Sequence, residues 1–181
     1  MTGYLHLITG PMMSGKTSRL ITLIEKLSII KKIYVINSTL DNRYNINSIT
    51  THNGTSIKSY SFEDLELDFN KLKKIREEYD VIALDEIQFF SNLTDFIKIC
   101  LELDFHIIAC GLNGNYLQEP FGEVINLIPL CDKIEFLKGY CIQCKDGTKG
   151  SFTKRLSKNN SEILIGNSNI YQCVCRKHIK D

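Results

Sequence analysis

Residues 10–17 read Gly10-Pro11-Met12-Met13-Ser14-Gly15-Lys16-Thr17, and the rest of the chain can be interpreted from this segment. It matches the pattern G-x-x-x-x-G-K-[ST], with an apolar run before it and an amphipathic helical pattern after it. A strand, a glycine loop and a helix start together surround a polyphosphate with backbone N–H groups. The stretch therefore predicts a phosphate-binding loop in which Lys16 reaches the β- and γ-phosphates and Thr17 ligates Mg²⁺. The alternative, a flexible glycine turn followed by a lysine, does not account for the preceding strand.

The composition limits the classes of protein to consider. The chain has 181 residues, enough for one good-sized core and a small appendix. Its formal net charge of +1 gives no global electrostatic reason to expect a nucleic-acid partner. It shows no run of 18 apolar residues and no basic-then-apolar leader, so we expect a soluble, cytoplasmic protein without a membrane partner. The seven cysteines cluster towards the C-terminus, as is typical of metal ligation in a reducing compartment.

Apolar runs alternate with helical patterns along most of the chain. Helical spacing predicts a helix over about 16–29 and another over about 93–101, which Asn92 is expected to cap. The polar stretch 37–61 is long for a structureless loop, so it predicts either a functional segment or a short hairpin. Short apolar runs predict strands at residues 4–8, 33–36, 81–84, 105–109 and 134–137.

This alternation predicts an α/β fold of the P-loop type, with a doubly wound parallel sheet. From about Gly139 the composition changes to glycines, polar residues and paired cysteines. We therefore expect a nucleotide-binding core at residues 1–138 and a small zinc-binding lid subdomain at residues 139–181.

A second motif, Asp85-Glu86, ends the apolar run Val81–Leu84, 68 residues after Thr17. A buried parallel strand delivers such carboxylates to the edge of a sheet where ligands bind. At a strand end the two side chains can diverge into two roles, with Asp85 holding Mg²⁺ and Glu86 deprotonating a nucleophilic hydroxyl. A solvated strand end explains such a pair equally well in isolation, but not in a chain that also carries a phosphate loop.

Two cysteine pairs predict a metal site. Cys141 and Cys144 form one C-x-x-C pair, and Cys175 and His178 form a C-x-x-H pair, with thirty residues between the two pairs. Four such ligands suit a closed tetrahedral Zn²⁺ site of structural type. Two alternatives stay open at this point: Cys173 can replace Cys175 as a ligand, and the first pair can be redox-active.

These motifs together resemble the type II, or cytosolic-type, thymidine kinase family. The resemblance runs from about residue 4 to residue 179 and includes the phosphate loop and both metal pairs. It also includes Asp85-Glu86-Ile87-Gln88-Phe89-Phe90, Pro120-Phe121-Gly122 and Thr153-Lys154-Arg155-Leu156.

The resemblance implies transfer of the γ-phosphate of ATP to the 5′-hydroxyl of thymidine, giving dTMP for DNA synthesis by salvage. It implies that residues 10–17 bind ATP, that Glu86 is the catalytic base, and that Mg²⁺ lies near Thr17 and Asp85. It further implies a homotetramer inhibited by dTTP, with residues 152–156 in an arm that covers the nucleoside. The implied nucleoside site consists of Tyr116 beside the pyrimidine, Phe121, Thr153, the base-gripping loop Glu162, Ile163, Leu164, Ile165 and Gly166, and Tyr171.

Two other functions stay open from the residues alone. A P-loop ATPase or helicase fragment is one, because Asp85-Glu86-Ile87-Gln88 also resembles a DExx box. A non-catalytic zinc module that binds nucleotide is the other. Length, near-neutral charge and the lack of a second ATPase domain favour the kinase.

Overall fold

The structure is a computed structural model that describes residues 2–40, 47–51, 53–157 and 169–180. The helices in these ranges are α1 (Lys16–Leu27), α2 (Phe69–Glu78) and α3 (Leu93–Glu102), with 3₁₀ turns at Ile87–Phe89 and Val124–Leu130. The strands in these ranges are β1 (Tyr4–Gly10), β2 (Ile33–Ser38), β3 (Ser48–Thr50), β4 (Ser56–Lys58), β5 (Tyr60–Phe62), β6 (Val81–Leu84), β7 (His106–Leu112), β8 (Lys133–Phe136), β9 (Gly139–Tyr140), β10 (Lys149–Gly150), β11 (Phe152–Arg155) and β12 (Tyr171–Val174).

Six strands form one parallel sheet in the order β5-β2-β6-β7-β1-β8. The five strands predicted from apolar runs all lie in this sheet, so the prediction of a parallel α/β fold is confirmed. Strand β7 lies between β1, which leads into the phosphate loop, and β6, which leads into the acidic pair. The ends of β1 and β6 are therefore about 9–10 Å apart, or two strand spacings.

Helices cover both faces of the sheet. Along β1, Leu5 and Leu7 pack on the face that α2 and α3 cover, whereas Ile8 packs with α1 on the other face. This alternation follows from the two-residue period of a strand, and all three side chains are at most 1 % exposed. Both faces of the sheet are therefore apolar, which explains why the parallel strands read as continuous apolar runs.

The long polar stretch contains a short hairpin, which was one of its two predicted alternatives. Strands β3 and β4 pair antiparallel, and β5 then joins the edge of the main sheet beside β2. Residues 41–46 and residue 52 of this stretch lie outside the described ranges.

The predicted capping role of Asn92 is wrong. Asn92 occupies the N-cap position of α3, but its side chain makes no cap hydrogen bond there. Its amide instead donates to the backbone carbonyl of Leu65 at 2.8 Å and accepts from the Leu65 N–H at 3.2 Å. The Glu123 carboxylate accepts the hydrogen bond from the Thr94 N–H at 2.6 Å, so a residue distant in sequence satisfies the helix end.

The C-terminal region contains two short antiparallel pairs, β9–β10 and β11–β12. They pack together around Cys173, whose Sγ would lie 2.7 Å from a Cβ added at Gly139 and 2.6 Å from one added at Gly150. Within the described ranges, every helix is too short or too polar to cross a membrane.

Candidate active site and metal cluster

The phosphate loop lies between the end of β1 and the start of α1, as predicted. Gly15 has φ 82°, a left-handed conformation that glycine adopts without steric cost. Two side chains converge on the carbonyl oxygen of Pro11: Ser14 Oγ donates to it at 2.8 Å and Lys16 Nζ at 2.9 Å. The Lys16 side chain therefore folds back over the backbone of the loop.

The acidic pair lies beside the first turn of α1. Asp85 is 4 % exposed, and burial together with the negative charge of Glu86 raises the pKa of Asp85 to about 6. The side chains of Cys110, on β7, and Thr17 hydrogen-bond the Asp85 carboxylate and oppose this rise. Thr17 and Asp85 are thus in contact, which brings the two sequence motifs together across the end of β7.

Glu86 has an unusual backbone conformation. Its φ of 52° and ψ of 41° are left-handed, which costs a residue with a Cβ roughly 1–2 kcal/mol. The side chain of Gln88 donates to Glu86 Oε2 at 2.5 Å and accepts from the Leu112 N–H at 3.1 Å. Sequence reasoning gave Gln88 no role beyond the motif, although a polar residue within an apolar run was a usable signal.

The two tyrosines predicted to contact the nucleoside are brought together by an arginine. The guanidinium of Arg155 lies 3.7 Å above the ring centroid of Tyr116. Its Nη2 and Nε also donate to the Tyr171 hydroxyl at 2.6 and 3.1 Å. Tyr171 faces Arg155 across the β11–β12 pair, which fixes the geometry of this cluster. Arg155 is a second residue to which sequence reasoning gave no specific role.

The remaining predicted nucleoside contacts fall in different places. The Phe121 ring packs edge-on against Phe89, with centroids 5.8 Å apart. Thr153 is buried, and its hydroxyl accepts a hydrogen bond from the Met12 N–H at 3.0 Å. The predicted base-gripping residues 162–166 lie outside the described ranges.

The predicted metal ligands form one cluster. The ligand atoms of Cys141, Cys144, Cys175 and His178 all lie within 4.8 Å of one another. His178 Nδ1 is 3.5, 3.4 and 3.5 Å from the three sulfurs in that order, and the sulfurs of Cys144 and Cys175 are 3.8 Å apart. Tetrahedral Zn²⁺ with ordinary bond lengths separates two sulfurs by about 3.8 Å and a sulfur from a nitrogen by about 3.6 Å. The donor set and its spacing therefore fit Zn²⁺.

The geometry also resolves the ligand alternatives. Cys175 belongs to the cluster, whereas Cys173 is buried between two glycines and outside it. Although burial opposes ionisation of Cys141, backbone N–H groups of Cys175 and Cys144 and the His178 ring lower its pKa to about 6. A thiolate is the form of cysteine that binds a metal. Convergence of four donors favours metal ligation over a redox pair.

A parallel sheet with a phosphate loop on one strand and an acidic pair on another defines a P-loop nucleotide-binding protein. The sequence model of the thymidine kinase family matches residues 3–179. The chain belongs to the thymidine kinase family, so it is a phosphotransferase that acts on thymidine.

Individual relatives agree with this assignment. A thymidine kinase of Oryza sativa subsp. japonica is 36 % identical over 99 % of this chain and 67 % of its own length. A thymidine kinase of Myxoma virus (strain Uriarra) is 36 % identical over 97 % of this chain and 95 % of its own length. One from Rabbit fibroma virus (strain Kasza) is 35 % identical over the same shares of the two chains.

Proposed function

We propose that the protein transfers the γ-phosphate of ATP to the 5′-hydroxyl of thymidine, giving dTMP for DNA synthesis. The placement of the phosphate loop and the acidic pair at the same edge of the sheet, after parallel strands on either side of β7 and with Thr17 beside the Asp85 carboxylate, carries this proposal. It unites a loop suited to a triphosphate with a carboxylate pair suited to a metal ion and a hydroxyl nucleophile. Phosphoryl transfer requires these functions in one cleft.

Residues 10–17 would hold the triphosphate through backbone N–H groups. Lys16 would exchange the Pro11 carbonyl for the β- and γ-phosphate oxygens, which are stronger acceptors because they are charged. Thr17 and Asp85 supply the oxygen ligands that Mg²⁺ prefers, and the raised pKa of the buried Asp85 marks a carboxylate that gains from a neighbouring cation. When bound, Mg²⁺ neutralises charge on the phosphate oxygens.

Glu86 would act as the general base. Its carboxylate takes the proton of the 5′-hydroxyl as the sugar oxygen bonds to the γ-phosphorus and the bond to the leaving ADP oxygen breaks. Asp85 and Glu86 then have separate roles, the first with the metal and the second with the nucleophile. The contact of Glu86 with Gln88 keeps its carboxylate at the end of β6.

The nucleoside would lie beside the aromatic cluster of Tyr116 and Tyr171, with Phe121, Thr153 and residues 162–166 completing the site. The Arg155 guanidinium now covers one face of Tyr116, where an aromatic base would stack. We propose that residues 139–181 form a lid subdomain on a core at 1–138, and that a structural Zn²⁺ on the four-ligand cluster stabilises the lid.

Further predictions concern assembly, regulation and location. A homotetramer and inhibition by dTTP follow from the family resemblance alone. A cytoplasmic location agrees with the seven cysteines, all of which are free thiols and three of which are candidate metal ligands.

The decisive experiment is a panel of nucleosides assayed with ATP and Mg²⁺. We expect ATP-dependent formation of dTMP from thymidine, and the same panel measures how deoxyuridine and deoxycytidine rank against it. ATP turnover that requires polynucleotide and ignores thymidine would identify a DExx-type ATPase instead. Nucleotide binding without turnover of any nucleoside would identify a non-catalytic module.

A further inference from the structure

We propose that Gln88 is a positioning residue that holds the Glu86 carboxylate in its reactive orientation by tying it to the end of β7. This inference rests on the proposed role of Glu86 as the base. Gln88 does not touch the reacting atoms itself in this proposal and acts only through Glu86.

The hydrogen bonds of Gln88 connect two strands. Its amide nitrogen donates to Glu86 Oε2 at 2.5 Å, and its amide oxygen accepts from the Leu112 N–H at 3.1 Å. The orientation of the amide follows from its partners, because a backbone N–H requires the oxygen and a carboxylate requires the NH₂ group. A primary amide is the side chain that satisfies both partners at once.

Gln88 is itself held firmly. It is 3 % exposed, and its amide oxygen would lie 2.9 Å from a Cβ added at Gly111. Its backbone carbonyl approaches Gly122 so closely that an added Cβ would lie 2.3 Å from the oxygen. The surroundings therefore leave the side chain little rotational freedom, and a rigid support loses little entropy when it orients a reactive group.

Glu86 needs such a support because of its location. It lies two residues after the end of β6 in a left-handed conformation, and it is only partly buried. The bond from Gln88 fixes one carboxylate oxygen relative to β7, the strand between the phosphate loop and the acidic pair. Misplacement of a reacting group by about 1 Å can cost about 10²-fold in rate.

The test is a double-mutant cycle of Gln88→Met and Glu86→Gln, with kcat and both KM values measured with radiolabelled thymidine. We expect Gln88→Met alone to lower kcat by about 10²-fold and to change the KM values for ATP and thymidine by less than about twofold. In the Glu86→Gln background, we expect the same substitution to change kcat by less than about twofold, because its route of action is already lost.

A structural control is available in Asn92, whose half-buried amide also makes two hydrogen bonds, to the backbone of Leu65. Asn92→Leu should lower the melting temperature while leaving kcat of the folded enzyme unchanged in both backgrounds. Gln88→Asn is a second test variant, because it keeps an amide but is one methylene too short to span both partners. Cooperative melting and metal content verify that each variant is folded.

The outcomes separate this inference from the proposed function. If Glu86→Gln alone keeps the wild-type kcat, Glu86 is not the base and the proposed mechanism fails. If Glu86→Gln lowers kcat but Gln88→Met lowers it equally in both backgrounds, Gln88 does not act through Glu86 and the inference is overturned. Wild-type kcat in both Gln88 variants would also overturn it.

Discussion

The Thr153 hydroxyl accepts a hydrogen bond from the backbone N–H of Met12 at 3.0 Å, although the two residues are 141 positions apart in sequence. Met12 lies within the phosphate loop, and Thr153 lies on β11, whose partner strand begins with Tyr171. One hydrogen bond thus connects the β11–β12 pair, which carries Arg155 and Tyr171, to the loop that would hold the triphosphate.

Thr153→Val tests this connection, because valine keeps the shape of threonine and removes the hydroxyl. We expect the free energy of unfolding to fall by about 1–2 kcal/mol, since a half-buried N–H loses its acceptor. We also expect the KM for ATP to rise several-fold. Thr153→Ser keeps the hydroxyl and is the matched control. Equal KM values for ATP in the two variants would show that the bond does not order the phosphate loop.

Glu86→Gln keeps the size of the side chain and removes its basicity. We expect kcat for thymidine phosphorylation to fall by about 10²- to 10⁴-fold, which is the usual contribution of general base catalysis. The KM for thymidine and the melting temperature should change little. Steady-state kinetics and thermal melts measure these quantities, and retention of the wild-type kcat would exclude Glu86 as the base.

Metal content tests the cluster. We expect about one Zn²⁺ per chain in protein purified without chelators, because four ligands at these distances form a closed tetrahedral site. Cys175→Ser should reduce this well below one and lower the melting temperature. Cys131→Ser makes the same chemical change outside the cluster, where the thiol donates to the Leu127 carbonyl, and should keep the full metal content. Equal zinc in both variants would contradict the ligand assignment.

The environment of Glu135 should make the free energy of unfolding depend on pH. Hydrogen bonds from Arg19 at 2.8 and 2.9 Å, supported by Lys133, lower the pKa of Glu135 to about 2. Because this pKa lies below the ordinary value of 4.5, the stabilisation is fully present above pH 4.5 and is lost as the pH falls through about 2. Glu135→Gln should lower the free energy of unfolding at pH 7 by about 1.5–3 kcal/mol.

The test is how the difference in free energy of unfolding between wild type and Glu135→Gln changes with pH. Urea unfolding at a series of pH values should show the gap between wild type and Glu135→Gln closing between about pH 4.5 and pH 2. Glu66→Gln is the control, because Glu66 pairs with Lys71 in an exposed position and contributes little. A gap that stays constant down to pH 2 would show that Glu135 is not held ionised by Arg19.

The strands, the first helix and the metal cluster were predictable because each has a local signal. Continuous apolar runs identify strands buried on both faces, and helical spacing identified the buried face of Leu20, Ile21 and Ile24. The spacing of Cys141, Cys144, Cys175 and His178 likewise predicted their convergence.

Contacts between distant residues were not predictable. The wrong prediction for Asn92 shows why, because its sequence position suits a helix cap, but the backbone of Leu65 competes for the same amide. Two other contacts depend on how separate elements pack, which no local sequence pattern encodes. They are the hydrogen bond between Thr153 and Met12 and the position of Arg155 over Tyr116.

Gly111 has no side chain, yet the packing beside the acidic pair depends on it. Gly111 lies directly against the side chains of Ile87 and Gln88. A methyl group added at Gly111 would lie 2.5 Å from Ile87 Cγ1. Even an alanine would push against the turn that follows the acidic pair. An inactivating change can therefore arise at this glycine while every recognisable motif of the sequence stays intact, and a motif survey of natural variants would pass over it.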